Sequence, residues 1–294
     1  MFKLTPVVKD YIWGGTRLHT RYGKPMPGKR LAESWEISCH PDGPCVIAGG
    51  PLAGISFAEY WKQGHTEDFP ILVKLIDAAE PLSVQVHPDD AYAARLGERG
   101  KTEMWFILDA EPDSRLYYGL ERSISREELA RRIADGSLPE VLRSVPVKPG
   151  DVFYIPAGTI HAIGAGILLA EVQQSSNLTY RIYDYGRGRP LHIKDALAVT
   201  RTEPTAVQAL PKGGNPRLLC RCEYFTAWEY QVTEKAEYAP PAGCFAGITL
   251  LDGNAVFTCD GEALTCRSGE SLFLPEDSSP CTIAGNCRLL IVEK

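Results

Sequence analysis

One phrase constrains this chain more than any other, because it occurs twice. Gly150-Asp-Val-Phe-Tyr-Ile-Pro156 and Gly269-Glu-Ser-Leu-Phe-Leu-Pro275 share a turn, an apolar run and a proline stop. The glycine pair turns the backbone and the aromatic and β-branched residues favour a strand. Proline has no N–H for the next ladder bond, so the strand ends there. From residue 217 onward the runs CRCEYFTAWEYQV, CFAGITLLDG, AVFTC, EALTC, ESLFLP and RLLIVEK follow one another. They recur at roughly 8–12 residues with turn signals between. A turn-rich chain of short strands built on a repeated phrase predicts a mainly β fold: two jelly-roll β-barrels with a few short helices. The length of 294 residues allows one to two domains. The Pro/Gly-rich stretch RTEPTAVQALPKGGNPR marks the expected boundary. Residues 1–205 then form one domain, 206–216 a linker and 217–294 a second domain.

The two copies differ in chemistry. The first continues into Ala157-Gly158-Thr159-Ile160-His161, whereas the last histidine of the chain is His192, so the second copy has none. A histidine just past a tight turn on a sheet is well placed to be a ligand. Alone, it is as well explained as a core histidine satisfied by a backbone carbonyl. In PLSVQVH, Gln85 and His87 are two apart, so their side chains leave the same face of a strand. That pair suits metal ligation, and also a solvent-facing polar stripe. Glu103 opens the strand EMWFIL, with Lys101 on the same face. Lys74 interrupts the apolar run ILVKLI. A buried lysine is costly unless its ammonium reaches water, a carboxylate or a ligand. An edge strand pointing Lys74 at solvent is the equal alternative. In TYRIYDYGR, Arg181, Tyr183 and Tyr185 share one face, which offers an anion or hydroxyl site, or a cation–π pair. Trp13 beside Gly14 and Gly15 lines a sugar pocket or plugs a packing gap.

Helices are expected at about Ser56–Gln63, after Asp89 or Asp90, over Ser125–Gly136 with a Ser125/Glu128 capping box, and at HIKDALAV. Residues 1–50 read as irregular and extended, apart from the strand ESWEIS. The hydrophobic share of 44%, charged share of 23% and net charge of −6 fit a globular enzyme. They argue against a nucleic-acid or anionic-membrane partner, and leave room for a small anionic substrate. Nine cysteines without a CxxC pair, beside an ordinary core, are expected as reduced thiols in a cytoplasm. No apolar h-region and no run of membrane-spanning length is present, so neither a signal peptide nor a membrane span is expected.

The phrase from Gly150 through Pro156 and Gly158 to His161 resembles the second motif of the cupin superfamily. Gln85-x-His87 with Glu103 resembles the first motif with two departures: Gln replaces the first histidine, and a short helix widens the gap to Glu103. Those departures, with PLSVQVHPDD, KTEMWFIL, GDVFYIPAGTIHAI and YRIYDYGR, resemble the type I mannose-6-phosphate isomerases in their short bacterial form. YIWGGTRL and ESWEIS fit the same family, and the resemblance covers the whole chain. It implies one Zn2+ per chain held by Gln85, His87, Glu103 and His161, a donor set that iron, manganese or cobalt also accepts. It implies a catalytic Arg181 and pocket lysines at Lys74 and Lys101. The implied reaction interconverts mannose 6-phosphate and fructose 6-phosphate through an enediol or enediolate. Lys74 or Lys101 serves as base only with a lowered pKa, while Arg181 holds the enediolate or the phosphate. Trp13, Tyr183 and Tyr185 are candidates for shaping the sugar pocket. The expected partner is a small sugar phosphate, with the protein a monomer or weak homodimer. A cupin isomerase acting on glucose 6-phosphate is the nearest alternative, opposed by Gln85 and the Lys101-x-Glu103 pairing. A metal-dependent dioxygenase usually needs more histidine at the metal. A sugar-binding cupin without turnover predicts a lost ligand or missing pocket cations.

Overall fold

The computed structural model describes residues 1–206 and 213–294. The fold is mainly β, with twenty strands and five short α-helices among the described residues. The chain divides into two units.

The first unit comprises Met1–Tyr11, Thr16–Leu75 and Ala209–Lys294. Its centre is a nine-stranded sheet in which the strands Ala246–Cys259 and Cys281–Glu293 pair antiparallel from Ala246↔Glu293 to Thr258↔Thr282. The sequence pattern predicts CFAGITLLDG and AVFTC as separate strands. Instead Asp252-Gly253 forms a bulge, with the register shifting between Leu250 and Asp252. Gly253 has φ 77°, and a Cβ there would lie 2.1 Å from the Asn286 carbonyl oxygen. The second copy of the repeated phrase forms the strand Ser271–Leu274, which pairs with Ala246–Thr249 on one edge and with Phe2–Leu4 on the other.

That last pairing corrects the expected domain division. Phe2–Thr5 also pairs with Val46–Ala48, so the N-terminal segment completes the C-terminal sheet rather than a domain ending at 205. A composition shift along the chain cannot reveal such a long-range pairing. Residues 207–212 of the expected linker 206–216 lie outside the described residues. Residues 1–50 also contain an unexpected helix, Arg17–Tyr22, which buries Leu18 and Tyr22 and stops at Gly23 with φ 61°. The helix expected from Ser56 spans Phe57–Gly64 and keeps both bonds of its Ser56/Glu59 capping box.

The second unit comprises Ile12–Gly15 and Ile76–Gln208. One sheet orders its strands Tyr180–Tyr183, Val84–Val86, His161–Ile163, Arg115–Leu120 and Leu142–Pro146. Facing strands come from a second set, Val152–Ile155, Glu103–Ala110 and Ile167–Gln174. The first copy of the phrase is Val152–Ile155, paired Val152↔Phe106 through Ile155↔Glu103. The helix Arg126–Asp135 buries Leu129 and Ile133 in a core with Val84 and Val86. Ser125 accepts from the Glu128 N–H, as expected, and Gly136 ends the helix at φ 76°. The Glu128 carboxylate does not return to Ser125; it holds Arg122 at 2.6 Å and Arg132 at 2.9 Å. Asp89 caps a shorter helix, Asp90–Ala93, and HIKDALAV gives Ile193–Val199.

Trp13 is 4% exposed, Gly14 bridges to Ala78, and a Cβ on Gly15 would lie 2.3 Å from Asp77 Oδ2. All nine cysteines are free thiols. No helix among the described residues is long and apolar enough to cross a membrane.

Candidate metal centre

The site is built by register. On one sheet Gln85 pairs with His161 on one side and with Arg181 on the other, so three functional side chains form a row across three strands. Directly opposed residues of antiparallel strands share a face. His87 follows two residues after Gln85. On the facing strands Glu103 pairs with Gln173, and Trp105 pairs with Glu171. Alternation then puts Glu103, Trp105, Glu171 and Gln173 on one face.

His87, Glu103 and His161 are all buried, and their ligand atoms lie within 4.8 Å of one another. The imidazoles are oriented by backbone carbonyls. His87 Nδ1 lies 2.9 Å from the Leu178 oxygen and His161 Nδ1 lies 2.9 Å from the Thr159 oxygen. A carbonyl only accepts, so each Nδ1 carries the proton and each Nε2 presents a lone pair. His161 Nε2 is fully buried, makes no hydrogen bond, and faces Glu103 Oε1 at 3.3 Å. Burial, with the Lys101 ammonium nearby, pushes the His161 imidazole down to about 4, so a proton does not fill that gap at neutral pH. Two imidazole nitrogens and a carboxylate converging in a dry interior fit a first-row divalent cation. The carbonyl partners behind both rings are the outer-shell contacts that such ligands require.

The cations around this cluster are equally specific. Lys101 is 4% exposed, and its ammonium lies 2.7 Å from Glu103 Oε2, 3.1 Å from His87 Nε2 and 3.8 Å from Glu171 Oε1. Glu171 also accepts from Trp105 Nε1 at 2.9 Å. Sequence reasoning misses Glu171, although its signal is present: a carboxylate inside the apolar strand ILLAEVQQ. Arg181 donates through Nε to Ser83 Oγ at 3.3 Å and through a terminal nitrogen to the Pro190 carbonyl at 2.9 Å. Both bonds hold a half-buried guanidinium on the strand next to that of Gln85.

Lys74 is interior, which settles the edge-strand alternative. It lies in the first unit, 3.8 Å from Glu33 and 5.2 Å over the Trp35 ring. Tyr183 and Tyr185 meet edge-to-face at 5.0 Å, and Tyr185 is partly exposed. The guanidinium over a tyrosine here is that of Arg187, 5.5 Å above Tyr185.

Comparison with known proteins assigns the family. Residues 1–112 match the family model for the phosphomannose isomerase type I catalytic domain, and residues 217–294 match that for the mannose-6-phosphate isomerase cupin domain. Mannose-6-phosphate isomerase of Streptococcus mutans is 36% identical, over 95% of this chain and 93% of that protein. The chain belongs to the type I phosphomannose isomerase family. Mannose-6-phosphate isomerase ManA of Bacillus subtilis is 36% identical as well, over 92% of this chain and 91% of the relative. The crystal structure of a Bacillus subtilis mannose 6-phosphate isomerase superposes with a TM-score of 0.93 at 34% identity, covering 99% of this chain and 98% of that one. As a phosphomannose isomerase family member the chain is an isomerase, with its candidate metal cluster in the second unit.

Proposed function

We propose that this isomerase interconverts mannose 6-phosphate and fructose 6-phosphate, using Zn2+ held by Gln85, His87, Glu103 and His161. The observation that carries the reading is the buried cluster of His87, Glu103 and His161, with Lys101 paired to Glu103 and with His161 in one row with Gln85 and Arg181. Its relatives' names supply the substrate.

A bound divalent ion supplies polarisation of the sugar's C1 and C2 oxygens and stabilises negative charge on them. The chain supplies the rest. The reaction moves one proton between C2 and C1 and passes through an enediol or enediolate. His87 and His161 are held with Nε2 inward by Leu178 and Thr159, so no imidazole turns toward its other tautomer during turnover. Lys101 and Glu171, 3.8 Å apart, are the acid–base pair the second unit offers for proton transfer. Lys74, the other lysine candidate for the base, lies 3.8 Å from Glu33 and over the Trp35 ring. Arg181 stays protonated and holds the phosphate or the enediolate charge. Tyr183 and Tyr185 form the partly exposed aromatic wall. The free thiols support a cytoplasmic protein, and we expect a monomer or weak homodimer.

A coupled assay on mannose 6-phosphate tests the reading, run before and after chelation and after adding back Zn2+. Activity lost with the metal and restored by it is expected. Full turnover by the metal-free protein, or a preference for glucose 6-phosphate, would sink it.

A further inference from the structure

The second unit has a cavity of about 410 Å³ outside the metal cluster, lined by Tyr92, Arg95, Arg126, Gly158, Thr200 and Arg201 among others. Three arginines lining one cavity repel each other unless something neutralises them. In and just before the helix Arg126–Asp135 other arginines are paired: Arg122 and Arg132 with Glu128, and Arg131 with Asp135. Arg95, Arg126 and Arg201 form no ion pair among the described residues. Arg95 stacks over the Tyr92 ring at 5.2 Å, and Arg126 donates to the Leu197 carbonyl. Two carboxylates also line the cavity, and both are engaged locally. Asp89 accepts from the Tyr92 N–H at 2.8 Å, and Glu203 accepts from Thr202 Oγ1 at 3.4 Å. The lining thus sets three exposed guanidinium groups against two carboxylates, a net positive charge in fork-shaped donors, which is the chemistry of phosphate recognition.

Its wall is also the loop that positions the metal ligands. Gly158 donates to the His87 carbonyl at 2.8 Å and accepts from the Arg201 N–H at 2.8 Å. The next residue, Thr159, is the acceptor that orients His161. Gly158 has φ 84°, and a Cβ there would lie 2.9 Å from the Val199 oxygen and 3.0 Å from Arg201 Cγ. The backbone is therefore pressed against the arginine segment with no slack.

We propose that the cavity lined by Arg95, Arg126 and Arg201 is a second, regulatory site for a phosphate-bearing small molecule, acting on the metal ligands through Gly158. This inference stands apart from the identity of the sugar substrate.

Calorimetric titration of the metal-loaded full chain tests it, with inorganic phosphate in one arm and glycerol phosphate, a small phosphomonoester, in the other. The expected result is one binding event that is lost in Arg95→Gln/Arg201→Gln, persists in Arg181→Ala, and is partly recovered in Arg95→Lys/Arg201→Lys. Binding in the phosphate arm alone assigns the site to free phosphate, and binding in both assigns it to phosphomonoesters. The coupled arm reads kcat at saturating substrate, expected to shift about fivefold with the bound anion in the wild type and not in the Gln variant. The Arg-to-Gln changes break no ion pair, and a thermal melt verifies the fold. Titration of the Gln variant that matches the wild type, or no event in the wild type that depends on these arginines, overturns the site. An event lost with the arginines but without effect on kcat overturns its action on the metal loop.

Discussion

His161 Nε2 faces Glu103 Oε1 at 3.3 Å, and the two come from different sheets of one unit. Two electron-rich atoms brought together in a dry interior require a cation between or beside them. His161→Ala should therefore remove both the bound metal and the turnover. Elemental analysis of the purified variant checks the first and the isomerase assay the second. Metal retained at full stoichiometry would show that His161 is not a ligand.

Burial lowers the His161 imidazole from 6.5 to about 4. In the metal-free protein the unfolded chain takes up this proton as pH falls through 6.5, while the folded chain waits until about 4. Between those values the unfolded state binds more protons, so stability rises with pH. The contribution is fully present above 6.5 and is lost as pH falls toward 4, a span of roughly 3 kcal/mol. Urea unfolding of the chelated wild type and of His161→Gln across that range separates this histidine from the carboxylates. The wild type should lose more stability on acidification by about that amount, and equal slopes would contradict the assignment.

Much of this site is legible in the sequence because its geometry is local. The period of two in Leu-Ser-Val-Gln-Val-His puts Gln85 and His87 on one face, and the turn before His161 is written in Pro156 and Gly158. The row His161–Gln85–Arg181 is not legible, since strand order and register depend on pairing across many residues. The same cause hides the pairing of Phe2–Leu4 with Ser271–Phe273 and so misplaces the domain boundary. Asp252-Gly253 misleads for another reason. The dipeptide serves a turn or a bulge equally, and only the neighbouring Asn286 carbonyl decides. Glu171 escapes because alternation along its own strand does not name the partner that gives it a role, Trp105 on the neighbouring strand.

Arg181 is fixed by Ser83 and Pro190 and shares a row with Gln85, but it is not in the buried donor cluster. Its loss should spare the metal and cost the chemistry. Arg181→Ala is expected to lower kcat/KM by about 10²–10³-fold, the cost of removing one preorganised charge-stabilising donor. Metal content should be unchanged. Turnover within a fewfold of the wild type would make the role of Arg181 structural.

Lys101 bridges two buried carboxylates, Glu103 at 2.7 Å and Glu171 at 3.8 Å. Lys101→Met removes their common cation, so the metal-free protein should lose about 3–5 kcal/mol in urea unfolding. Metal binding should restore part of that loss, because a divalent ion compensates Glu103. Turnover should not return, since the proton-transfer pair is broken. If metal restored activity as well as stability, Lys101 would be only a counter-ion.

In the first unit, Lys24 and Glu36 form another buried ion pair, Nζ to Oε1 at 2.6 Å, at 4% and 0% exposure. Ser271 Oγ donates to Glu36 Oε2 at 2.8 Å, and Lys24 also reaches the Gly269 carbonyl. The pair thereby ties the strand Glu33–Ile37 to the turn and strand of the second phrase copy, which belongs to a different sheet. Breaking it from one side leaves a buried charge alone, which costs about 3–5 kcal/mol, whereas removing both charges costs much less. Lys24→Met and Glu36→Gln should each be strongly destabilising, and the double variant less so than their sum. Denaturant unfolding of the three variants measures the coupling. Additive losses would show that the two side chains act independently. A coupling of several kcal/mol would identify this pair as a device that fastens the strand Glu33–Ile37 to the second phrase copy.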